Sequence, residues 1–174
     1  MKKSSKFMIP FRGLKDGIHF FNFKVDNSFF EQLKFFDFIG VNLDLKITLD
    51  KKVSILIIKF DVKGSLIIPC DVTTEPFDYN LGTTFRLVVK FGEVEKYDGD
   101  EILILPNGSS QIDVSQYIYE MIILAVPQKK VHPGVIDGSL KSDMIDKLNE
   151  LQPKKRRKLQ KEIDPRWGKL KDLL

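Results

Sequence analysis

Residues 43–50 alternate apolar and polar without a break, with Leu43, Leu45, Ile47 and Leu49 on one side and Asp44, Lys46, Thr48 and Asp50 on the other. A period of two predicts a strand with one buried and one wet face. Lys51-Lys52 supplies a turn, and a second strand starts at Val53. There Val53, Ile55 and Ile57 are in phase before the apolar positions shift to Ile58, Phe60 and Val62. That shift predicts burial on both faces midway, or a bulge. Gly64 is expected to end the run; residues 66–70 resume it, and Pro69 marks a strand end or a bulge. Thr73-Thr74-Glu75-Pro76 turns the chain. Phe77, Tyr79 and Leu81 then alternate with Asp78 and Asn80, and after Gly82 the alternation restarts as Phe85, Leu87, Val89 and Phe91, with Arg86 and Lys90 outward. Hairpin-length turns and one wet face predict a long antiparallel meander, as a strongly curved sheet or an open barrel.

The flanks are less regular. Residues 7–11 and 18–25 are short apolar-rich runs, and Gly13, Asp16 and Gly17 between them predict a hairpin-like connection. Ser28 followed by Glu31 has the spacing of a capping box, and Phe29, Phe30, Leu33 and Phe36 predict a short amphipathic helix closing near Gly40. The phenylalanines here are expected to pack in the core, where aromatic area is most useful. Residues 92–100 are acidic and loop-like. A last short strand follows over 101–105, ended by Pro106-Asn107-Gly108. Asp113 is placed to cap a helix with Val114, Tyr117, Ile118, Met121, Ile122 and Ala125 on one face, stopped by Pro127.

From Gln128 the composition changes. Lys129, Lys130, Pro133, Gly134, Gly138 and Ser139 read as a linker, and 142–151 as a short helix before Pro153. The division expected is therefore an antiparallel β-rich domain with packed helices over 1–127, and a linker with a basic C-terminal helical segment over 128–174. The fold class is α+β. Forty-three per cent hydrophobic and 30% charged residues suit one such core in 174 residues. No run approaches the roughly 18 apolar residues of a membrane-crossing helix, and the N-terminus lacks the apolar segment of an export signal. A single cysteine, Cys70, makes no internal disulfide, which fits the reducing cytoplasm.

Charge adds an asymmetry. The chain is +4 overall, but residues 154–174 carry nine Lys or Arg against three Asp or Glu, which leaves residues 1–153 at −2. A concentrated cationic block is suited to phosphates, each neutralised phosphate adding salt-sensitive affinity. Lys154, Lys155, Arg156, Arg157, Lys158, Arg166 and Lys169 are the candidate RNA-binding residues. Asp164-Pro165 would start a final helix with Trp167, Leu170 and Leu173 on one face, the candidate partner-docking residues. The alternative for the whole block is a solvated surface.

Signals for chemistry are weak. Cys70, His19 and His132 show no pair at metal-ligand spacing, so no metal or cofactor is expected. Glycine-rich phosphate loops, HExxH and GxSxG are absent from the sequence. Cys70 reads as a core thiol at a strand end, His132 as a loop residue, and Asp98 and Asp100 as solvated turn carboxylates. A non-enzymatic binding protein is the expectation.

Four stretches together resemble one known family. Gly64-Ser65-Leu66-Ile67-Ile68-Pro69-Cys70 with Glu75-Pro76-Phe77, the block from Ile112-Asp113-Val114-Ser115 to Pro127, and the end Ile163-Asp164-Pro165-Arg166-Trp167-Gly168-Lys169-Leu170-Lys171-Asp172-Leu173 are similar to the YceD family of bacteria. That family is named for accumulation of large-subunit ribosomal RNA. Many members carry a second cysteine three residues after the first; Val72 and Thr73 stand where the Arg and Cys of that pattern would fall. A cysteine cluster common before the Asp-Pro-Arg end is also missing, so no metal role carries over. The resemblance implies a cytoplasmic factor in ribosome biogenesis, bound to large-subunit ribosomal RNA or a ribosomal protein. Two other readings stand beside it: an adaptor docking through its C-terminal segment, and a carrier of a small apolar ligand inside a phenylalanine-lined barrel.

Overall fold

The structure is a computed structural model and describes residues 6–92 and 102–151. Five strands form one sheet in the order β2-β3-β4-β5-β6: β2 (Gly17–Asp26), β3 (Gly40–Lys51), β4 (Ile55–Pro69), β5 (Pro76–Phe91) and β6 (Ile102–Leu105). β2 to β5 pair antiparallel, and β6 lies parallel to β5. β1 (Met8–Pro10) and β7 (Gln111–Asp113) make a separate two-stranded ribbon. The helices are α1 (Asn27–Gln32), α2 (Ser115–Ala125), α3 (Pro133–Ile136) and α4 (Asp143–Leu151). The fold is α+β with an open, mixed sheet. Its edge strands β2 and β6 do not pair with each other, so no barrel closes.

One face of the sheet is the core. Leu43, Leu45, Ile47 and Leu49 of β3 are buried, as the alternation predicts. Leu56, Ile58, Phe60, Val62, Leu66 and Ile68 join them from β4, and Phe77, Leu81, Leu87 and Val89 from β5. α2 covers β5 with Ile118, Met121 and Ile122, the face predicted for it. Asp113 accepts hydrogen bonds from the Ser115 amide at 2.9 Å and its hydroxyl at 2.6 Å, which organises the helix start. The ribbon adds Ile9 and Ile112, both buried. Phe7, Phe29, Phe30, Phe35 and Phe38 pack edge to face at the sheet's end, with centroids 4.9–5.2 Å apart for the closest pairs. These phenylalanines belong to the core or pack against it, whereas Phe20 and Phe36 are exposed.

Several expectations are corrected. Of the two alternatives for β4 no bulge forms, since its pairing with β3 runs residue for residue from Lys51↔Leu56 to Gly40↔Ile67, and the double apolar pattern reflects partial cover of both faces over residues 55–58. Ile55 and Ile57 simply lie half-buried on the other face, and Val53 is in the turn at 91% exposure. Residues 7–11 and 18–25 form no hairpin, because β1 pairs with β7 and β2 with β3. α1 stops at Gln32, leaving Leu33 and Phe36 exposed, and the Ser28 hydroxyl turns back to Asp26 instead of forming a capping box. Asn27 closes that loop instead, accepting from the Val41 amide at 2.6 Å and donating to the Ile39 carbonyl at 3.0 Å. The meander ends at β5, since β6 is parallel; the longer connection over 92–101 permits what a tight turn forbids.

Gly64 lies inside β4 and does not end it. Its φ is +150°, and an added Cβ would fall 2.2 Å from the Asn42 carbonyl oxygen and 2.9 Å from the Leu43 Cα, both rigid backbone of β3. Only glycine lets the two strands approach this closely. Gly64→Ala is expected to destabilise the fold by about 3 kcal/mol through strain and overpacking. Urea unfolding of the variant beside the parent chain measures this, with Gly82→Ala as control, because a Cβ there meets no atom within 4 Å.

Candidate functional site

All ten site residues nominated from sequence, from Lys154 to Leu173, lie outside the described residues. What the structure does place is the turn between β4 and β5, the segment that docks on it, and the outer face of the sheet.

The turn runs from Cys70 to Glu75. The Cys70 amide donates to the Glu75 carbonyl at 2.9 Å and the Thr74 amide to the Cys70 carbonyl at 2.8 Å, with Thr74 in the left-handed region at φ 61°. Residues 128–137 are fastened here. The Asp71 amide donates to the Lys130 carbonyl at 2.7 Å, and the Lys130 amide returns a 2.6 Å bond to the Asp71 carboxylate. His132 accepts from the Gly134 amide at 2.9 Å through Nδ1, caps α3, and sets its ring edge-on to Phe77 at 5.5 Å.

The Cys70 sulfur sits at the centre of this arrangement, 1% exposed. Burial, the largest influence, raises its pKa. The Thr73 hydroxyl and the amides of His132, Thr73 and Val72 outweigh that, and the net shift is downward. The His132 and Val72 amides approach the sulfur at 3.3 and 3.4 Å. Thr73 Oγ1, buried and without a partner at full hydrogen-bond geometry, acts on the sulfur through its dipole. Among the described residues no group of three metal-ligating side chains exists. Donors around a sealed thiol organise a joint: the expected strand-end core cysteine, here with amides aimed at it.

The opposite face of the sheet is open. Its two best-formed depressions, about 540 and 510 Å³, are shallow and share Lys46 and Asp61 in their walls. Neither is an enclosed chamber of phenylalanines, so the apolar-carrier reading gains nothing from them. Lys59 and Arg86 stand directly opposite each other on neighbouring strands, and Phe20 is 63% exposed on β2. The outward alternation placed Arg86 in the sequence; only the register set Lys46, Lys59 and Phe20 beside it.

A protein-family model described as Large ribosomal RNA subunit accumulation protein YceD matches residues 58–174. The chain belongs to the YceD family. The match enters within β4 and takes in the Cys70 turn, β5, β6, β7, α2, α3 and α4, while β1, β2, α1 and β3 precede it. No curated protein and no solved structure matches the chain. The turn and its docked segment thus lie inside the region matched to the YceD family, and the strands bearing Phe20 and Lys46 lie before it.

Two measurements test the turn. Asp71→Ala removes the carboxylate that holds the Lys130 amide and is expected to cost about 1 kcal/mol locally, so that trypsin cleaves after Lys129 or Lys130 about fivefold faster. Thr73→Val is expected to raise the Cys70 pKa, read by thiolate absorbance with Cys70→Ser as the blank. The linkage has a fixed sign: folding lowers this pKa, so the thiolate's contribution is present above the unfolded thiol's range and lost as pH falls through the folded value.

Proposed function

We propose that this chain acts without catalysis in the accumulation of large-subunit ribosomal RNA, as a cytoplasmic binding factor during ribosome assembly. Membership of the YceD family carries this reading. The cationic block supports RNA as the ligand: Lys154, Lys155, Arg156, Arg157, Lys158, Arg166 and Lys169 would neutralise phosphates, a term independent of sequence and strongly dependent on salt. The folded domain would serve as the body that presents this block and adds shape-dependent contacts.

One observation favours an adaptor role beside it. α4 buries none of its residues and exposes Met144, Leu148 and Leu151 at 47%, 46% and 80%. These recur at three- and four-residue spacing, as in a helix that lays its apolar edge into a partner's groove. Trp167, Leu170 and Leu173 would extend such a contact.

Crosslinking in cells followed by sequencing of bound RNA separates the two, comparing the full chain with one ended after Gln152. The expected result is enrichment of large-subunit ribosomal RNA that falls at least tenfold on truncation. Recovery of a protein partner that survives nuclease and is lost on Trp167→Ala, with no RNA enriched, would replace the RNA reading with the adaptor.

A further inference from the structure

We propose that the open face of the five-stranded sheet is a second RNA contact, one that takes single-stranded RNA by stacking a base on Phe20 and seating phosphates on Lys46, Lys59 and Arg86. The inference rests on the reading that the chain binds RNA and assigns part of that binding to the folded domain.

A wet face on an antiparallel sheet ordinarily carries charges, and opposite signs placed across from each other stabilise the pairing. One row follows that rule: Lys24, Asp44 and Lys63 stand in register on β2, β3 and β4, with signs alternating. The row two residues along also sets opposite signs across from each other, Lys46 against Asp61, but closes no ion pair between them. Asn22, Lys46, Asp61 and Thr84 are in register, yet the Lys46 ammonium makes no salt bridge among the described residues and lies 5.5 Å from the Phe20 ring centroid instead. Asp61 pairs with Lys63 at 3.2 Å along its own strand. Its other oxygen is buried with no partner among the described residues.

The next row is Phe20, Thr48, Lys59 and Arg86, with no carboxylate in it. Lys59 and Arg86 are directly opposed, where side chains begin about 5 Å apart and like charges destabilise the sheet. Neither has an ion-pair partner among the described residues, and Lys46 sits diagonal to Lys59. Asp61 stands opposite Lys46 and diagonal to Arg86 but pairs with Lys63, so no ion pair among the described residues relieves the opposition of Lys59 and Arg86. A polyanion laid across the strands would relieve it. Asp44 and Asp50 flank the patch on β3, and Asp50 faces Lys52 at 3.9 Å.

Phe20 decides which polyanion. Its ring is 63% exposed at the edge of the cationic patch, with Ile18 beyond it at 62%. An acidic polypeptide would match the charge but has no use for an aromatic face. A splayed nucleotide offers a phosphate to the cations and a π-face to the ring within one residue's reach. A duplex keeps its bases stacked internally and cannot use Phe20. Between Lys46, Thr48, Lys59, Thr84 and Arg86 the surface dips into the shallow, open depression of about 510 Å³, with three cations against the one carboxylate of Asp61 in its wall.

The test is fluorescence anisotropy of a labelled single-stranded oligoadenylate against the full chain, titrated at several salt concentrations. Lys59→Gln with Arg86→Gln is expected to lower the slope of log affinity against log salt by about 1.4. Phe20→Leu, which keeps apolar area and loses the ring, should weaken binding about tenfold, and Phe20→Trp should restore it. All three side chains point to solvent, so melting temperatures no lower than the parent's confirm folding. If the parent binds and all variants match it, the sheet-face inference is overturned and the tail reading stands. Loss on the charge variants with Phe20→Leu unchanged, or full competition by polyglutamate, overturns the single-stranded RNA assignment. A parent chain that fails to bind the oligonucleotide even at low salt overturns both.

Discussion

Everything in this molecule is arranged about the unbroken pairing of β4, which is hydrogen-bonded along its length to β3 on one side and β5 on the other. Such a strand tolerates no slip, because a shift of one residue would carry Leu56, Ile58, Phe60 and Val62 from the core to water. Each of those side chains contributes about 1.5–3 kcal/mol of burial, so the penalty for a slip is comparable to the whole stability of an ordinary domain. Gly64 is where that constraint is most severe. The strand passes within contact distance of the β3 backbone, and the lack of a side chain keeps the register continuous through it.

β4 also determines where the rest of the chain attaches. It ends at Pro69, and the turn that follows holds Cys70 among backbone amides while Asp71 grips the chain at Lys130. The segment after α2 is therefore tied back to the centre of the sheet, and α3 and α4 depart from there. The YceD family match covers this joint and everything C-terminal to it.

The two faces of the sheet are specialised in opposite ways. The core face is filled by aliphatic side chains, and the aromatic cluster of Phe29, Phe30, Phe35 and Phe38 closes its end. The other face holds no described helix and sets Lys59 opposite Arg86, with Lys46 against the exposed ring of Phe20. A chain that concentrates positive charge in a terminal block and again on an open sheet has the means to hold one polyanion at two places. Joined contacts of this kind raise affinity without requiring either to be strong.

The strands β3 and β5, the packing role of the phenylalanines, the buried face of α2 and the mostly antiparallel sheet were legible in the sequence because each is a local period. Leu43 to Leu49 alternate whatever surrounds them. The cationic block and the YceD family signature were legible for the same reason, being contiguous. Partner choice was not. β1 pairs with β7 about a hundred residues away, and β6 runs parallel to β5, because those edges offered free backbone groups and an uncovered core. Likewise Gly64 reads as a stop in sequence, and only the approach of Asn42 reveals it as a contact. The grouping of Phe20, Lys46, Lys59 and Arg86 was equally hidden, since these residues come from four strands and meet through register alone. Local periods determine which face of each strand is buried; hydrogen-bond pairing between distant segments decides what lies beside what.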